Sequence, residues 1–373
     1  MSSSELNNRS HIANKRDPNI ELLRTLTMIG VIVLHMNNPL VGKCLLYSRD
    51  NSFLYSFLLG YESIFVCAVN LFLVITGYYL IQKKSVSLIK PILLVSQVCI
   101  FSISYYVVLA LLRGDFSVKG VLESALPKNY FVIIYCSVYL LSPFINRLLN
   151  SLNVRQYTVM MGIICFLFSF IPTLLDSIKE LMGINVQGLY PNGMFGSGYG
   201  YTFVNFLMMY MWGGFIRTIG EIRTRSFKLL ATLIGSIVLL SVWSHFTLWE
   251  GDFVENSSIS YCNPLIVLNA VLIFILFTRI KIHNNRAGFI INCLAKNSFS
   301  VYLLHNYILG TIDYYSVINQ YGVLFALIIL IIGLAIYLIC CLVGYIYSLT
   351  VGRAIVWTVD RISCIKRMLI MVD

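Results

Sequence analysis

Long apolar runs separated by short polar stretches are the main pattern of this sequence. A helix needs about 20 consecutive apolar residues to cross the hydrocarbon core of a bilayer. Ten runs approach or exceed that length, and they lie at residues 20–40, 54–81, 88–112, 130–149, 157–175, 202–219, 228–249, 262–278, 287–311 and 322–349. The pattern predicts an all-α integral membrane protein with about ten transmembrane helices.

The composition agrees with this prediction. Of the 373 residues, 58% are hydrophobic and only 12% are charged, and the mean hydropathy is +0.81. Soluble domains carry about 25% charged residues. An ordinary soluble protein is therefore excluded.

The basic residues indicate how the helices are oriented. The net charge is +11, and most of the 27 Lys and Arg residues fall in alternate polar segments, including both terminal ones. Cytoplasmic loops of membrane proteins carry such an excess of Lys and Arg. We therefore expect both termini in the cytoplasm. The basic excess reflects topology and attraction to anionic membrane lipids, so nucleic acid is not expected as a partner.

Three regions follow from this arrangement. Residues 1–16 are polar and predicted to form a disordered cytoplasmic N-terminus, residues 17–350 form the membrane domain, and residues 351–373 form a basic cytoplasmic tail. The first apolar run is too long for the core of a cleavable signal peptide, so it should remain as a helix. Most of the ten cysteines lie in predicted helices, and no cluster of metal ligands is visible. We expect no metal.

The first apolar run also carries two ionisable residues, Arg24 and His35. Charge inside hydrocarbon is costly, so such residues usually mark functional sites. Eleven residues at 100° each bring the two side chains within about 20° of one helix face, roughly 16 Å apart along the axis. We interpret this helix as one wall of an active site, with Arg24 nearer the cytoplasm.

Glu62 lies in the second predicted helix, at a depth similar to that of His35. A carboxylate at that level would orient the imidazole and stabilise its protonated form, as in catalytic relays. Alternatively, Glu62 pairs with another buried polar group or is held neutral.

Lys83, Lys84 and Lys90 gather between the second and third helices, on the predicted cytoplasmic side. Lysines grouped at a helix entry can bind phosphate groups as point charges. They can equally be topology signals alone, and these residues by themselves do not decide between the two.

Further polar residues are candidates for substrate binding. The long third outer segment, residues 176–201, mixes glycines with Asn and Tyr residues and ends at Tyr201, a composition suited to gripping sugars. Asn70 lies in the second helix, and Tyr302 and His305 share a face of the ninth. These residues line the same cavity as His35, or they form hydrogen bonds between helices.

The chain resembles membrane acyltransferase family 3, the bacterial O-acyltransferases that acetylate surface polysaccharides and related glycans. The resemblance covers nearly the whole chain. It rests on the opening helix with its arginine and histidine, on an aromatic run, on a late helix and on a further helix, which read here IELLRTLTMIGVIVLH, LFLVITGYYL, NSFSVYLLHNYI and NYFVIIYCSVYLLSPFIN.

The resemblance implies that His35 is the essential histidine, that Arg24 is its companion, and that acetyl-CoA from the cytoplasm is the donor. The chain departs from the family at one position. Many members carry Arg-x-x-Arg at the start of the third helix, where this chain has Ser87 and Lys90. The expected donor-binding role therefore passes to the group formed by Lys83, Lys84 and Lys90.

These observations lead to one functional hypothesis and one alternative. The hypothesis is an O-acetyltransferase of the bacterial cell membrane, acting on a sugar hydroxyl of a capsular, exopolysaccharide or other surface glycan that is lipid-linked or growing. His35 would act as general base or form an acetyl-histidine intermediate. The alternative is a transporter or flippase for a glycan or lipid, in which the same residues line a permeation path. The sequence shows neither the internal repeats nor the paired broken helices that transporters usually have.

Overall fold

The computed structural model describes residues 17–183, 198–250, 256–361 and 369–371. The predicted disordered N-terminus lies outside this range, as do most of the glycine-rich third outer segment and part of the C-terminal tail.

The first half of the chain forms helices that follow the predicted apolar runs, together with one short strand. Asparagine side chains cap several of them: Asn51 accepts from the backbone N–H of Leu54, and Asn129 accepts from that of Val132. The elements are α1 (Pro18–Asn37), α2 (Cys44–Tyr47), α3 (Ser52–Phe65), α4 (Ala68–Leu80), β1 (Ser85–Ser87), α5 (Ile89–Arg113), α6 (Val118–Ala125), α7 (Tyr130–Asn150), α8 (Val154–Cys165), a π-helical turn (Phe166–Phe170) and α9 (Ile171–Met182).

The second half is also helical. Thr202 and Asn263 cap two of its helices, each through a side-chain oxygen that accepts a backbone N–H. The elements are α10 (Phe203–Ile219), α11 (Ser226–Glu250), α12 (Pro264–Thr278), α13 (Asn285–Lys296), α14 (Ser298–Leu309), α15 (Tyr314–Tyr321), α16 (Phe325–Leu349), α17 (Val351–Arg361) and β2 (Leu369–Met371), with short 3₁₀ turns at Gly198–Gly200, Ser257–Ile259 and Gly322–Leu324.

Within the described residues, eight helical stretches are long and apolar enough to cross a membrane, and a bent pair makes a ninth. The one remaining predicted run, residues 202–219, forms α10, whose 17 residues measure about 26 Å at 1.5 Å per residue, slightly less than the hydrocarbon core. The prediction of an all-α membrane protein is confirmed. The prediction of about ten spans corresponds to eight continuous stretches, the bent pair and this short helix.

Two predicted helices are interrupted. The second is divided into α3 and α4 at Val66 and Cys67. The ninth is bent by 58° between α13 and α14, where Asn297 leaves the helical conformation. The apolar runs predicted an unbroken helix in both places, because apolar content alone does not reveal where a backbone bends.

Helix α1 is the centre of the packing. Ile20 and Leu23 belong to a core shared with α4, α7, α10 and α12. Met28, Ile32 and Met36 belong to a second core, shared with α3, α14, α15 and α16. The helix therefore joins two halves of the bundle, and side chains along its length reach the space between them.

The start of α1 partly matches its predicted cap. Asp17 occupies the N-cap position and Pro18 the first turn, as expected. The Asp17 carboxylate, however, accepts a hydrogen bond from the Tyr79 hydroxyl at 2.7 Å instead of capping the helix. This contact ties the start of α1 to the end of α4.

The C-terminal tail packs against the membrane domain. Helix α17 contacts α5 and α16. Strand β2 then pairs antiparallel with β1, with Val86 opposite Ile370. The tail, predicted only as a basic cytoplasmic segment, therefore joins the chain between Lys84 and Lys90.

Candidate active site

His35 lies in the last turn of α1, and its partner is His305 on α14. The Nδ1 atom of His35 is 2.7 Å from Nε2 of His305, and the ring centroids are 4.8 Å apart. The Nδ1 atom of His305 lies 2.9 Å from the carbonyl oxygen of Val301, one turn earlier on the same helix. His305 is completely buried, whereas His35 lines a cavity. The two histidines form one hydrogen-bonded pair.

Glu62 forms no hydrogen bond or ion pair with His35 among the described residues, so the predicted partnership is wrong and the alternative, a pairing with another buried polar group, holds. The Oε2 atom of Glu62 instead accepts a hydrogen bond of 3.1 Å from the side-chain amide of Asn37. Asn37 also donates to the carbonyl oxygen of Leu58, and Glu62 is only 5% exposed. Both Glu62 and His35 line the same cavity, so their predicted similarity in depth holds. The depth of a residue in the membrane, as estimated from the sequence, could not distinguish His35 from Asn37 as the partner of Glu62.

The cavity beside His35 has a volume of about 550 Å³, and we call it the tyrosine cavity. Its walls combine aromatic rings with amide groups and one lysine. The rings of Tyr201 and Tyr261 lie 4.7 Å apart, and those of Tyr130 and Tyr201 lie 5.4 Å apart. The polar and aromatic lining residues are His35, Asn38, Glu62, Lys128, Asn129, Tyr130, Tyr199, Tyr201, Asn256, Ser260, Tyr261, Tyr302, Asn306 and Tyr307.

A second cavity of about 350 Å³ lies beside Arg24, and we call it the basic cavity. Three cationic side chains line it: Arg24, Lys90 and Lys296. Arg24 is 3.7 Å from the Glu21 carboxylate, and its side chain is 33% exposed. Its Nε atom is buried and has no hydrogen-bond partner among the described residues. The residues that line this cavity include three cations and no carboxylate, so it presents positive charge to an anionic ligand.

The structure separates the three predicted donor-binding lysines. Lys90 donates a hydrogen bond to the Tyr135 hydroxyl at 2.9 Å, and its Nζ lies 4.7 Å from the centroid of the Tyr139 ring. Lys83 and Lys84 are exposed on the segment that follows α4, and neither is among the residues that line the basic cavity. Lys296 lines the basic cavity, although it was not among the predicted donor-binding residues.

The two cavities lie on either side of the same three side chains. Val31, Val69 and Tyr302 line both of them. Helix α1 runs past both cavities and presents Arg24 to one and His35 to the other. The predicted arrangement, with a cation and an imidazole on one face of this helix, is therefore present in the structure. A long ligand held at Arg24 would have to pass Val31, Val69 and Tyr302 to reach His35.

The predicted substrate-binding residues fall into different environments. Tyr201 and Tyr302 line the tyrosine cavity, and the Tyr302 hydroxyl donates to Asn129 at 3.1 Å. Asn70 donates to the carbonyl oxygen of Tyr261 and accepts from Asn205. Its contact with Asn205 therefore connects α4 to α10, which is the alternative that the sequence left open. His305 meets His35 and is buried behind it.

Sequence reasoning missed two cations that line the cavities. Lys296 lies within the ninth predicted run, residues 287–311, so the argument that singled out Arg24 applies to it equally. Lys128 precedes α7 and lines the tyrosine cavity, but an exposed lysine beside a helix carries no distinguishing signal in the sequence.

Comparison with known protein families places residues 17–345 within the family model described as an acyltransferase domain, of the acyltransferase 3 type. No curated protein and no solved structure shows a significant match to the chain.

Proposed function

The chain belongs to the acyltransferase 3 family and is a multi-pass membrane acyltransferase, and we propose that it transfers an acetyl group from acetyl-CoA to a hydroxyl group of a surface glycan. The observation that carries this proposal is the pair of cavities on one helix. The basic cavity suits an anionic donor, and the tyrosine cavity places an imidazole beside aromatic and amide groups that suit a sugar.

The donor would be bound by the basic cavity. Arg24, Lys90 and Lys296 converge there. The buried Nε of Arg24 has no hydrogen bond among the described residues, and its ion-pair partner Glu21 lies 3.7 Å away. At about 350 Å³ the cavity is too small to enclose a whole CoA molecule. We therefore assign it the phosphopantetheine arm, with the nucleotide outside the cavity, where the exposed Lys83 and Lys84 would attract its phosphates. Passage of the arm between Val31, Val69 and Tyr302 would bring the thioester to His35.

His35 would act as the general base on the acceptor. It takes the proton from the sugar hydroxyl, and the oxygen attacks the thioester carbonyl carbon to give a tetrahedral intermediate. The carbon–sulfur bond then breaks, and the CoA sulfur leaves with the proton that His35 returns. The products are the acetyl ester and free CoA. An acetyl-histidine intermediate is a variant in which His35 first attacks the thioester itself.

The acceptor would bind in the tyrosine cavity. Aromatic faces such as those of Tyr201 and Tyr261 provide rigid contact area, and Asn129 and Asn306 provide hydrogen-bonding groups beside them. The volume of about 550 Å³ accommodates a sugar unit of a longer or lipid-linked glycan. Glu62, held by Asn37, would contribute a fixed carboxyl group, able to accept a hydrogen bond, to the wall of this cavity.

The proposed orientation assigns each substrate to one side of a bacterial cell membrane. With both termini in the cytoplasm, the basic cavity faces the cytoplasmic supply of acetyl-CoA, and the tyrosine cavity faces the outer side, where surface glycans are completed. The predominance of basic residues in alternate loops supports this orientation.

The test is transfer of label by the purified protein in lipid nanodiscs. Acetyl-CoA carrying radioactive carbon in the acetyl group is incubated with a panel of capsular, exopolysaccharide and lipid-linked glycans. We expect alkali-labile label on at least one glycan, and no label when His35→Ala replaces the wild type. Label that stays on CoA across the whole panel would contradict the proposal and favour transport of a glycan or lipid through the same cavities.

A further inference from the structure

Three groups in sequence form a hydrogen-bonded row that ends at the tyrosine cavity: the carbonyl oxygen of Val301, the ring of His305 and the ring of His35. The Nδ1 atom of His305 lies 2.9 Å from the Val301 oxygen, and its Nε2 atom lies 2.7 Å from Nδ1 of His35. Both are within the range of ordinary hydrogen bonds. His305 is wholly buried, so only His35, at the other end of the row, is accessible from the cavity.

The row determines where the protons lie. A carbonyl oxygen can only accept, so Nδ1 of His305 carries a hydrogen and donates to Val301. In neutral His305 the other nitrogen, Nε2, then has a lone pair. This lone pair faces Nδ1 of His35, which must therefore carry a hydrogen and donate it. The remaining nitrogen of His35, Nε2, is left with its lone pair for the cavity.

We propose that His305 is a positioning residue that holds His35 in the tautomer whose Nε2 accepts the proton of the acyl acceptor. The inference rests on the proposed function, because it assigns a role within that reaction. When His35 gains the proton, its Nδ1–H becomes the donor of a charge-assisted hydrogen bond to His305, which stabilises the imidazolium.

A second imidazole suits this position better than a carboxylate would. The resting pair carries no net charge, so it avoids the cost of an ion inside the membrane domain. The nearby carboxylate that could have served, Glu62, is instead held by Asn37. Positive charge develops on the pair only after the acceptor has given up its proton.

The experiment compares two replacements of His305 in the full-length protein, with kcat and KM measured for both substrates. His305→Leu fills the site but cannot accept a hydrogen bond. His305→Gln places an amide oxygen that can accept from Nδ1 of His35. We expect His305→Leu to lower kcat by about 100-fold or more with both KM values unchanged. His305→Gln should recover a large part of that loss.

Several results would overturn the inference. Wild-type kcat in His305→Leu would show that the hydrogen bond has no role in the reaction. A rise in the acceptor KM instead of a fall in kcat would make His305 a substrate-binding residue. Equal loss in the Leu and Gln variants, or a loss of folded protein that accounts for the lost activity, would make it structural. If His35→Ala is inactive while His305→Leu is fully active, the proposed function stands and only this inference fails.

Discussion

Arg24 and His35 show, at the scale of single residues, what compensates for polar groups inside a membrane helix. An unpaired cation there is costly, and Arg24 lies beside the Glu21 carboxylate. His35 is paired with His305. Each still has an unused hydrogen-bonding group, since the Nε of Arg24 forms no hydrogen bond among the described residues beside its 3.7 Å ion pair with Glu21, and one ring nitrogen of His35 is not used by His305. A substrate would bind to these two groups.

Replacement of His35 tests the chemistry most directly. His35→Gln keeps a similar size and some hydrogen bonding but cannot take up a proton, so we expect transfer to fall by about 100-fold or more. His35→Ala should abolish it. The measurement is the rate of label transfer, divided by the amount of folded protein that size-exclusion chromatography detects. If the amount of folded protein falls in parallel with activity, His35 is structural.

The donor site yields a prediction about pairs of lysines. Lys90→Gln with Lys296→Gln removes two cations from the basic cavity and should raise the KM for acetyl-CoA by about tenfold or more, since each charged hydrogen bond contributes over 1 kcal/mol. The acceptor KM should not change. Lys83→Gln with Lys84→Gln should have a smaller effect that disappears in high salt, because long-range attraction is screened over about 10 Å at 0.1 M salt.

A matched control for both pairs is Lys228→Gln with Lys281→Gln. These two lysines are exposed and belong to segments predicted to face the same side of the membrane, but they line neither cavity. The donor KM of this control should equal that of the wild type. If the cavity pair behaves like the control, the basic cavity does not bind the donor.

The sequence could identify these residues only in part. Arg24 and His35 were predictable because charge in an apolar run is a local signal. The partner of His35 was not, because 270 residues separate it from His305 and only the packing of α1 against α14 brings them together. Asn37 and Glu62 were missed as a pair for the same reason, since similar depth does not specify which side chains meet.

At the scale of elements, α4 and α10 cross at unusually close range. A Cβ atom on Gly77 would lie 1.9 Å from the carbonyl oxygen of Tyr210, and one on Gly213 would lie 2.0 Å from that of Val74. Small residues allow helix backbones to approach in this way. The crossing also places Asn70 next to Asn205, which supports the helix that lines both cavities at Val69.

We therefore expect Gly77→Ala to destabilise the protein. The new methyl group meets backbone, which cannot move aside, so the two helices must separate at a cost of about 1–3 kcal/mol. The measurement is the midpoint of thermal unfolding in detergent, which should fall. Gly162→Ala is the control, because nothing lies within 4 Å of a Cβ at that helical position. An unchanged midpoint in Gly77→Ala would mean that the crossing is looser than described.

The helices could be predicted from the sequence, but the interruptions within two of them could not. Apolar runs indicate which segments form membrane-spanning helices, and the structure has helices at these runs. The bend at Asn297 depends on how α13 and α14 pack against α1 and α16, which no local pattern encodes. Yet this bend places Lys296 and Ser298 at the wall of the basic cavity, so the site depends on the part of the fold that was hardest to foresee.

At the scale of the whole molecule, α1 lies between two hydrophobic cores and beside two cavities. One core contains its first half and the other its second half, so neither half of the bundle is complete without it. The cavities follow the same division, with Arg24 at one and His35 at the other. Donor and acceptor would thus approach from opposite ends of this single helix.

This arrangement requires one orientation in the membrane, and labelling with an impermeant thiol reagent on intact cells tests it. In a protein freed of its ten native cysteines, a cysteine at Leu181, which is 81% exposed, should react because it lies towards the tyrosine-cavity side. A cysteine at Arg223 should react only after the cells are opened, because basic segments remain in the cytoplasm. The reverse pattern would turn the basic cavity outward, away from cytoplasmic acetyl-CoA, and the proposed direction of transfer would then be wrong.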